Sequence, residues 1–449
     1  MTRVGLAVHR TFHAVAHSRN FRLFFVGQAV SVTGTWMQQV ATAWLVLRLT
    51  GSGVALGLQV ALNFGPILLF GLWGGLLADR LDKRRILVAT QATQALLAAA
   101  LWALVGLGAV ELWMVYLLTS LQGLVVALDQ PTRHSFFAEM VREEDLTNAV
   151  SLNSAVMTGT RIVGPALAGA LISVVGLAPC FLANALSYLA VIGGLLAMRP
   201  AELRRPRGGL PVGGRVREGL LYVWRTPELR LPLAVLAAVS TLSFNLSVLF
   251  PLLAEGPLGG GASTFGLLLS AMGVGSLIGS LAMARLERPG LGRLGWAAVA
   301  FGLLSALAAW APGLEQALLI MVPLGAASMV LTIATNSSLQ LAAQPEMRGR
   351  VMALFGVVFL GSTPVGGPIA GWVAERLGPR EALALGGAAA VVAGALGLWR
   401  MAHHGLALAR VGRPRARPRR LTAPLEAAPA DPELASLAPE RVEKLPDGA

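Results

Sequence analysis

Charge, thiols and imidazoles are all scarce in this 449-residue chain. Charged residues make up 13% of it, histidines number six, and Cys180 is the one cysteine. A lone thiol cannot close an intramolecular disulfide, and so few histidines leave little material for a metal cluster. No nucleophile–base pair or metal constellation stands out, so the sequence reads as a non-enzyme that needs no cofactor. The glycine-rich stretch Gly259-Gly260-Gly261 lacks the lysine of a phosphate loop, which argues against ATP drive within this chain. Met1–Asn20 contains no continuous apolar stretch ending in a small-residue cleavage site, so no signal peptide is expected.

What is abundant is apolar surface. Hydrophobic residues are 55% of the chain. A bilayer-crossing helix needs about 20 mostly apolar residues, so this supply suffices for about twelve crossings. Apolar runs indeed fall at 21–47, 53–78, 86–107, 112–131, 148–173, 178–198, 231–254, 263–284, 294–311, 315–340, 351–374 and 381–401. The reading is an all-α polytopic membrane protein with twelve transmembrane helices, here numbered as spans one to twelve.

The basic residues set the orientation, because cytoplasmic loops carry the excess of Lys and Arg. With the N-terminus inside, 32 of the 36 basic residues fall on the cytoplasmic side, Arg48, Arg376 and Arg380 lie outside, and Arg161 is within a span. The net charge of +13 is thereby absorbed as a topology signal, and no nucleic-acid partner is expected. The longest break, 199–230, is rich in Arg, Pro and Gly and divides the chain into six spans and six spans. Within it Val216, Leu220, Tyr222 and Val223 alternate with charges as in a short amphipathic helix on the inner leaflet. The expected organisation is a cytoplasmic segment (1–20), a six-helix bundle (21–198), a cytoplasmic loop (199–230), a second bundle (231–402) and a disordered tail (403–449).

The halves repeat. Val163-Gly164-Pro165-Ala-Leu-Ala-Gly169 on span five matches Val365-Gly366-Gly367-Pro368-Ile-Ala-Gly371 on span eleven, and each follows a similar loop. Duplicated, pseudo-symmetric six-helix bundles are how secondary transporters build a site that opens to either side.

Two motifs carry a family resemblance. Gly75-Leu-Leu-Ala-Asp79-Arg80-Leu-Asp82-Lys83-Arg84-Arg85 resembles the signature loop between spans two and three of the major facilitator superfamily, with Asp82 where a second glycine is usual. Gly159-Thr-Arg161-Ile-Val-Gly164-Pro165-Ala-Leu-Ala168-Gly169 is similar to the Gly-Pro motif of that superfamily's exporters, with Ala168 in place of a glycine. Together with Asp129-Gln-Pro131-Thr-Arg133, these features resemble the enterobactin-exporter-like branch. The resemblance implies the major facilitator fold and a conformational gate of Gly75, Asp79, Arg80, Arg84, Arg85, Asp129 and Arg133. It also implies a helix-five motif of Arg161, Gly164, Pro165 and Gly169.

Polar stripes mark candidate cavity faces, since residues three or four apart share a helix face. They run through Gln28, Ser31, Thr35, Gln38 or Gln39, and Thr42 on span one; Thr119, Gln122 and Asp129 on span four; Ser240, Ser243 and Ser247 on span seven; and Ser328, Thr332, Asn336 and Gln340 on span ten. The resemblance makes these the four cavity-lining spans; interhelical hydrogen bonding is the competing explanation for each residue. The candidate substrate cavity is Gln28, Thr35, Trp36, Gln39, Asn63, Gln122, Asn245, Asn336 and Gln340, with Phe244 beside it. Arg161 lies about 20 Å along span five at 1.5 Å per residue, where an arginine must face a cavity or a partner. Gln122 matches its depth. Arg161 either attracts anionic substrate groups or holds a two-state polar network together.

No acid occupies the middle of a span, and Asp129, near the cytoplasmic end of span four, is the remaining candidate for a coupling proton. The expected function is export of small amphipathic molecules, siderophore- or drug-like, by alternating access. The expected partners are a small-molecule substrate, the bilayer and protons as coupling ion. The chain is expected as a monomer in the bacterial inner membrane with both termini cytoplasmic. Import or lysolipid flipping by the same fold, or a non-transporting receptor or scaffold, are the alternatives.

Overall fold

The computed structural model describes residues 13–204, 216–285 and 291–403. The tail expected to be disordered, apart from His403 at the end of span twelve, the first twelve residues, and the arginines at 205, 207, 215 and 288 lie outside this set. Among the described residues the chain is helical and contains no strand. Twelve spans appear in the expected order: Arg19–Thr50, Gly53–Arg80, Lys83–Gly106, Leu112–Met140, Leu146–Val175 and Ala178–Leu196, then Pro227–Glu255, Ala262–Ala284, Leu291–Ala309, Leu314–Ala342, Arg348–Leu377 and Pro379–His403. Eleven of them are both long and apolar enough to cross a membrane. Span one, with 32 residues, is long enough but more polar, because Gln28, Gln38, Gln39 and four threonines interrupt its apolar surface.

The two halves repeat their packing. Span one packs on six, two on four, and three on six; in the second half seven packs on twelve, eight on ten, and nine on twelve. The outward surface is apolar, as lipid contact demands. Exposed tryptophans mark both ends of the bundle: Trp113, Trp310 and Trp372 at one, Trp224, Trp296 and Trp399 at the basic one. Between the halves lies the amphipathic helix Val216–Arg225. It buries Val223 and leaves Leu220, Leu221 and Trp224 exposed. Tyr222 Oη accepts the Gln344 N–H at 3.2 Å, and Glu218 pairs with Arg350 at 3.1 Å, so this helix is tied to the entry of span eleven.

Three boundaries differ from the sequence reading. Span four continues to Met140, well past 131. Phe136 and Phe137 pack against Phe21 and Phe24 of span one, and this burial carries the helix through Pro131. Span seven is interrupted at Ser243–Asn245 and span eleven at Ser362, where the sequence pattern read each as continuous. Both interruptions border the central cavity described below.

Candidate functional site

The helix-five motif sits where the halves meet. Gly164 brings span five against span one: a Cβ there would lie 3.0 Å from the Thr33 carbonyl oxygen. One turn on, a Cβ on Gly169 would lie 2.9 Å from both the Ala262 carbonyl oxygen and Ser263 Cα of span eight. Pro165 has no N–H to give the preceding turn, and Ser270 Oγ of span eight donates to the nearby Ile162 carbonyl at 2.7 Å. On the other side of the interface span two meets span eleven through glycines: a Cβ on Gly53 would lie 2.7 Å from the Gly371 carbonyl oxygen. Span two packs along Thr363–Leu377 and touches Arg348–Gly361 much less. The halves are therefore sealed at the end away from the basic loops and part toward the basic end.

Beneath the seal is a cavity of about 350 Å³. Its wall draws on spans one, two, five, seven, eight, ten and eleven. Trp36, Gln39, Ser247, Ser328, Thr332 and Thr363 supply its polar and amphipathic groups, and Phe64, Phe244, Leu269, Met272, Met329 and Phe359 its apolar ones. Among the described residues Arg161 is the single charged one in this wall. Its guanidinium carbon stands 5.4 Å from the centroid of the Trp36 ring, a cation–π contact. Among the described residues it has no hydrogen-bond or ion-pair partner, so its donors are free for whatever occupies the cavity.

The structure places the sequence-selected residues in three groups. Trp36, Gln39, Arg161 and Pro165 line the cavity, and Asn63 lines a side pocket that shares Trp36, Gln39, Phe64 and Ser247 with it. Asn336 and Gln340 lie toward the basic opening and bond each other at 2.5 Å. Gln28, Thr35, Gln122 and Asn245 are not in the cavity wall. Gln28 and Asn245 are buried, and the Asn245 amide donates to the Thr241 carbonyl at 2.7 Å. Gln122 does not reach Arg161; it accepts from Gln38, which in turn accepts from Asn184 at 2.6 Å. Thr35 lies 3.4 Å from the Tyr188 hydroxyl, which donates to Gln94 at 2.8 Å. Of the two adjacent glutamines on span one, Gln39 faces the cavity and Gln38 faces this internal network. The apolar lining of spans eight, ten and eleven had no sequence signal, since Met272, Met329 and Phe359 look like any lipid-facing or packed residue.

Residues 11–424 match the family described as transmembrane secretion effector, a branch of the major facilitator superfamily. The chain belongs to this family. It is 25% identical to the staphyloferrin A transporter of Staphylococcus aureus over 59% of its own length and 66% of that protein's, just under two thirds of that relative. It is likewise 25% identical to the enterobactin exporter of Salmonella typhimurium, over 84% of this chain and 91% of the other. Among solved structures, a bacterial homologue of the human lysosomal transporter Spinster, inward-facing and unoccupied, superposes with a TM-score of 0.61. That match covers 87% of this chain and 96% of the other at 16% identity, and establishes the shared fold.

The signature loop of the superfamily takes a definite form here. Asp82, standing for the usual glycine, N-caps span three by accepting the Arg85 N–H at 3.0 Å, so a carboxylate makes the tight turn. Arg84 donates to the carbonyls of Leu195 (2.7 Å) and Leu196 (3.2 Å), capping the end of span six. Lys83 pairs with Glu139 at 2.6 Å. Asp79 and Arg80 are exposed and bond nothing among the described residues, and a Cβ on Gly75 would meet open space. Asp129 and Arg133 pair one turn apart on span four, and Thr90 (2.7 Å) and Gln91 (2.9 Å) donate to the same carboxylate. This pair is turned into the first half and away from the second.

Proposed function

We propose that this protein is a secondary transporter that exports small amphipathic molecules by alternating access, and that Arg161 attracts their anionic groups. The observation that carries this reading is the cavity between the halves, with one unpartnered cation set in a largely apolar wall. A charge so placed costs about 2.5–3.5 kcal/mol to insert in a membrane. An unpaired group of that cost is sensible where an anion comes to meet it. The apolar side chains around it suit a ligand with an aromatic or aliphatic body. Siderophore-like compounds combine both features, and the similarity to a staphyloferrin A transporter and an enterobactin exporter supports that choice.

We read the basic end as cytoplasmic, with both termini on the cytoplasmic side of a bacterial inner membrane and the cavity open to the cytoplasm. Substrate would enter there and leave after the seal between spans two and eleven opens. Among the described residues no carboxylate lines the cavity, so a coupling proton would have to act at a distance, with Asp129, buried on span four, as the candidate acid. The protein is proposed to act as a monomer.

The test is flux in inside-out vesicles containing the full chain, with and without a proton gradient, using an amphipathic carboxylate or catecholate. Uptake that needs the protein and falls in Arg161→Ala supports the proposal. Uptake indifferent to the gradient overturns proton coupling, and no flux of any solute overturns transport in favour of a receptor or scaffold.

A further inference from the structure

The sealed end is held by apolar glycine contacts on both sides of the interface. Among the described residues only one ionisable side chain bonds across it. Glu375 lies in the last turn of span eleven, and its Oε1 accepts from the Ser52 hydroxyl and from the Val54 backbone N–H at 3.2 Å. Both donors belong to the start of span two. Ser52 is the N-cap of that span, accepting the Ala55 N–H at 3.0 Å.

A helix leaves its first four N–H groups without partners and carries a partial positive charge at that end. Here one of those N–H groups is satisfied by a carboxylate from the opposite half of the protein. The bond sits beside the Gly53–Gly371 approach, so it exists only while spans two and eleven are in contact. Any motion that opens this end must draw Glu375 away from Val54 and leave that N–H to water.

We infer that Glu375 is a positioning residue of the transport cycle, a latch that closes the end opposite the basic loops by capping span two in trans. It lies outside the cavity wall. Its effect is on the ratio of the two conformations, and the inference rests on the alternating-access reading given above. An exposed carboxylate at a helix N-terminus is worth about two- to fivefold in an equilibrium constant. That sets the size of shift to look for.

The experiment places spin labels at Leu49→Cys and Leu377→Cys, one in each half near the sealed end, in a Cys180→Ala background, with the full chain in lipid nanodiscs. Interspin distances are recorded with and without the amphipathic anion. The unaltered latch should give a dominant short distance and a minor long one. Glu375→Ala should raise the long population about two- to fivefold, Ser52→Ala should raise it less, and Glu375→Gln, which keeps volume and an acceptor, should fall between. Glu111→Gln, which alters an acid bonded to Trp113 within its own half, should leave it unchanged. Two distances in the parent that Glu375→Ala and Glu375→Gln both leave unchanged overturn the latch alone. A single distance in the parent under every condition overturns alternating access, and the latch with it.

Discussion

Arg161 lies over the face of Trp36, joining spans five and one at the wall of the cavity, with 5.4 Å between the guanidinium carbon and the ring centroid. The indole holds the cation in place without neutralising it, since the contact uses the ring quadrupole and leaves the N–H donors free. Replacing Arg161 by Ala should weaken binding of an anionic amphiphile by about 1.5–3 kcal/mol, the usual worth of a hydrogen bond to a charged group. Quenching of tryptophan fluorescence by the ligand would measure it. Arg161→Lys keeps the charge and should recover part of the affinity, while a neutral analogue should bind both variants alike.

Gly169 is one of the close approaches in the span five–eight seam. A methyl group there meets the Ala262 carbonyl at 2.9 Å, which is backbone and cannot rotate aside. Gly169→Ala should therefore disfavour the sealed arrangement by about 1–3 kcal/mol. The check is labelling of a cysteine at Ser247, in the cavity wall, by an impermeant thiol reagent added from the side opposite the basic loops: the rate should rise.

Asp129 is buried, its partner Arg133 is mostly so, and the carboxylate takes two further donors, Thr90 and Gln91. Removing one partner strands the other charge, so Arg133→Ala should cost about 3–5 kcal/mol of stability. Replacing both by apolar residues should cost much less. Thermal unfolding in detergent would separate the cases; equal loss in the single and double variants would show that the charge pairing is not what matters.

Asp79 at the end of span two and Arg84 at the start of span three flank one turn but make different contacts. Arg84 caps span six through the Leu195 and Leu196 carbonyls, so Arg84→Ala should lower thermal stability, by about 1 kcal/mol per bond. Asp79 has no bond to lose among the described residues, so Asp79→Ala should leave the stability of this conformation unchanged. Measurable loss of stability in Asp79→Ala would contradict the exposed position of its carboxylate.

The fold was largely legible in the chain because membrane insertion is decided locally. Apolar runs, loop charges and the repeat of Val163–Gly169 in Val365–Gly371 each report on one stretch at a time. The site was legible only in part. Gln39, Arg161 and Pro165 were legible because a polar or helix-breaking residue in a span is a rare event with a cost, while Trp36 was a candidate only as an aromatic beside them. Gln38 and Gln39 are equivalent in composition, and only the rotation of span one decides which of them meets the cavity. Gln122 has the right depth to reach Arg161, but span four turns it toward Gln38 instead. The sequence pattern puts Asp129 and Arg133 at the edge of a loop, whereas the buried Phe136 and Phe137 carry span four onward and set the pair within a helix.

By itself the sequence determined that this protein is a membrane protein of twelve helices in two repeated halves, with its basic loops gathered at one end. Those properties follow from hydrophobic transfer and charge placement, which act on each segment separately. Which polar residues face one another, which end of the interface is shut, and that Glu375 caps a helix 321 residues away in sequence, at Val54, were decided by tertiary structure alone. Helix rotation and contacts between halves depend on how all the spans pack at once, and no single segment encodes them.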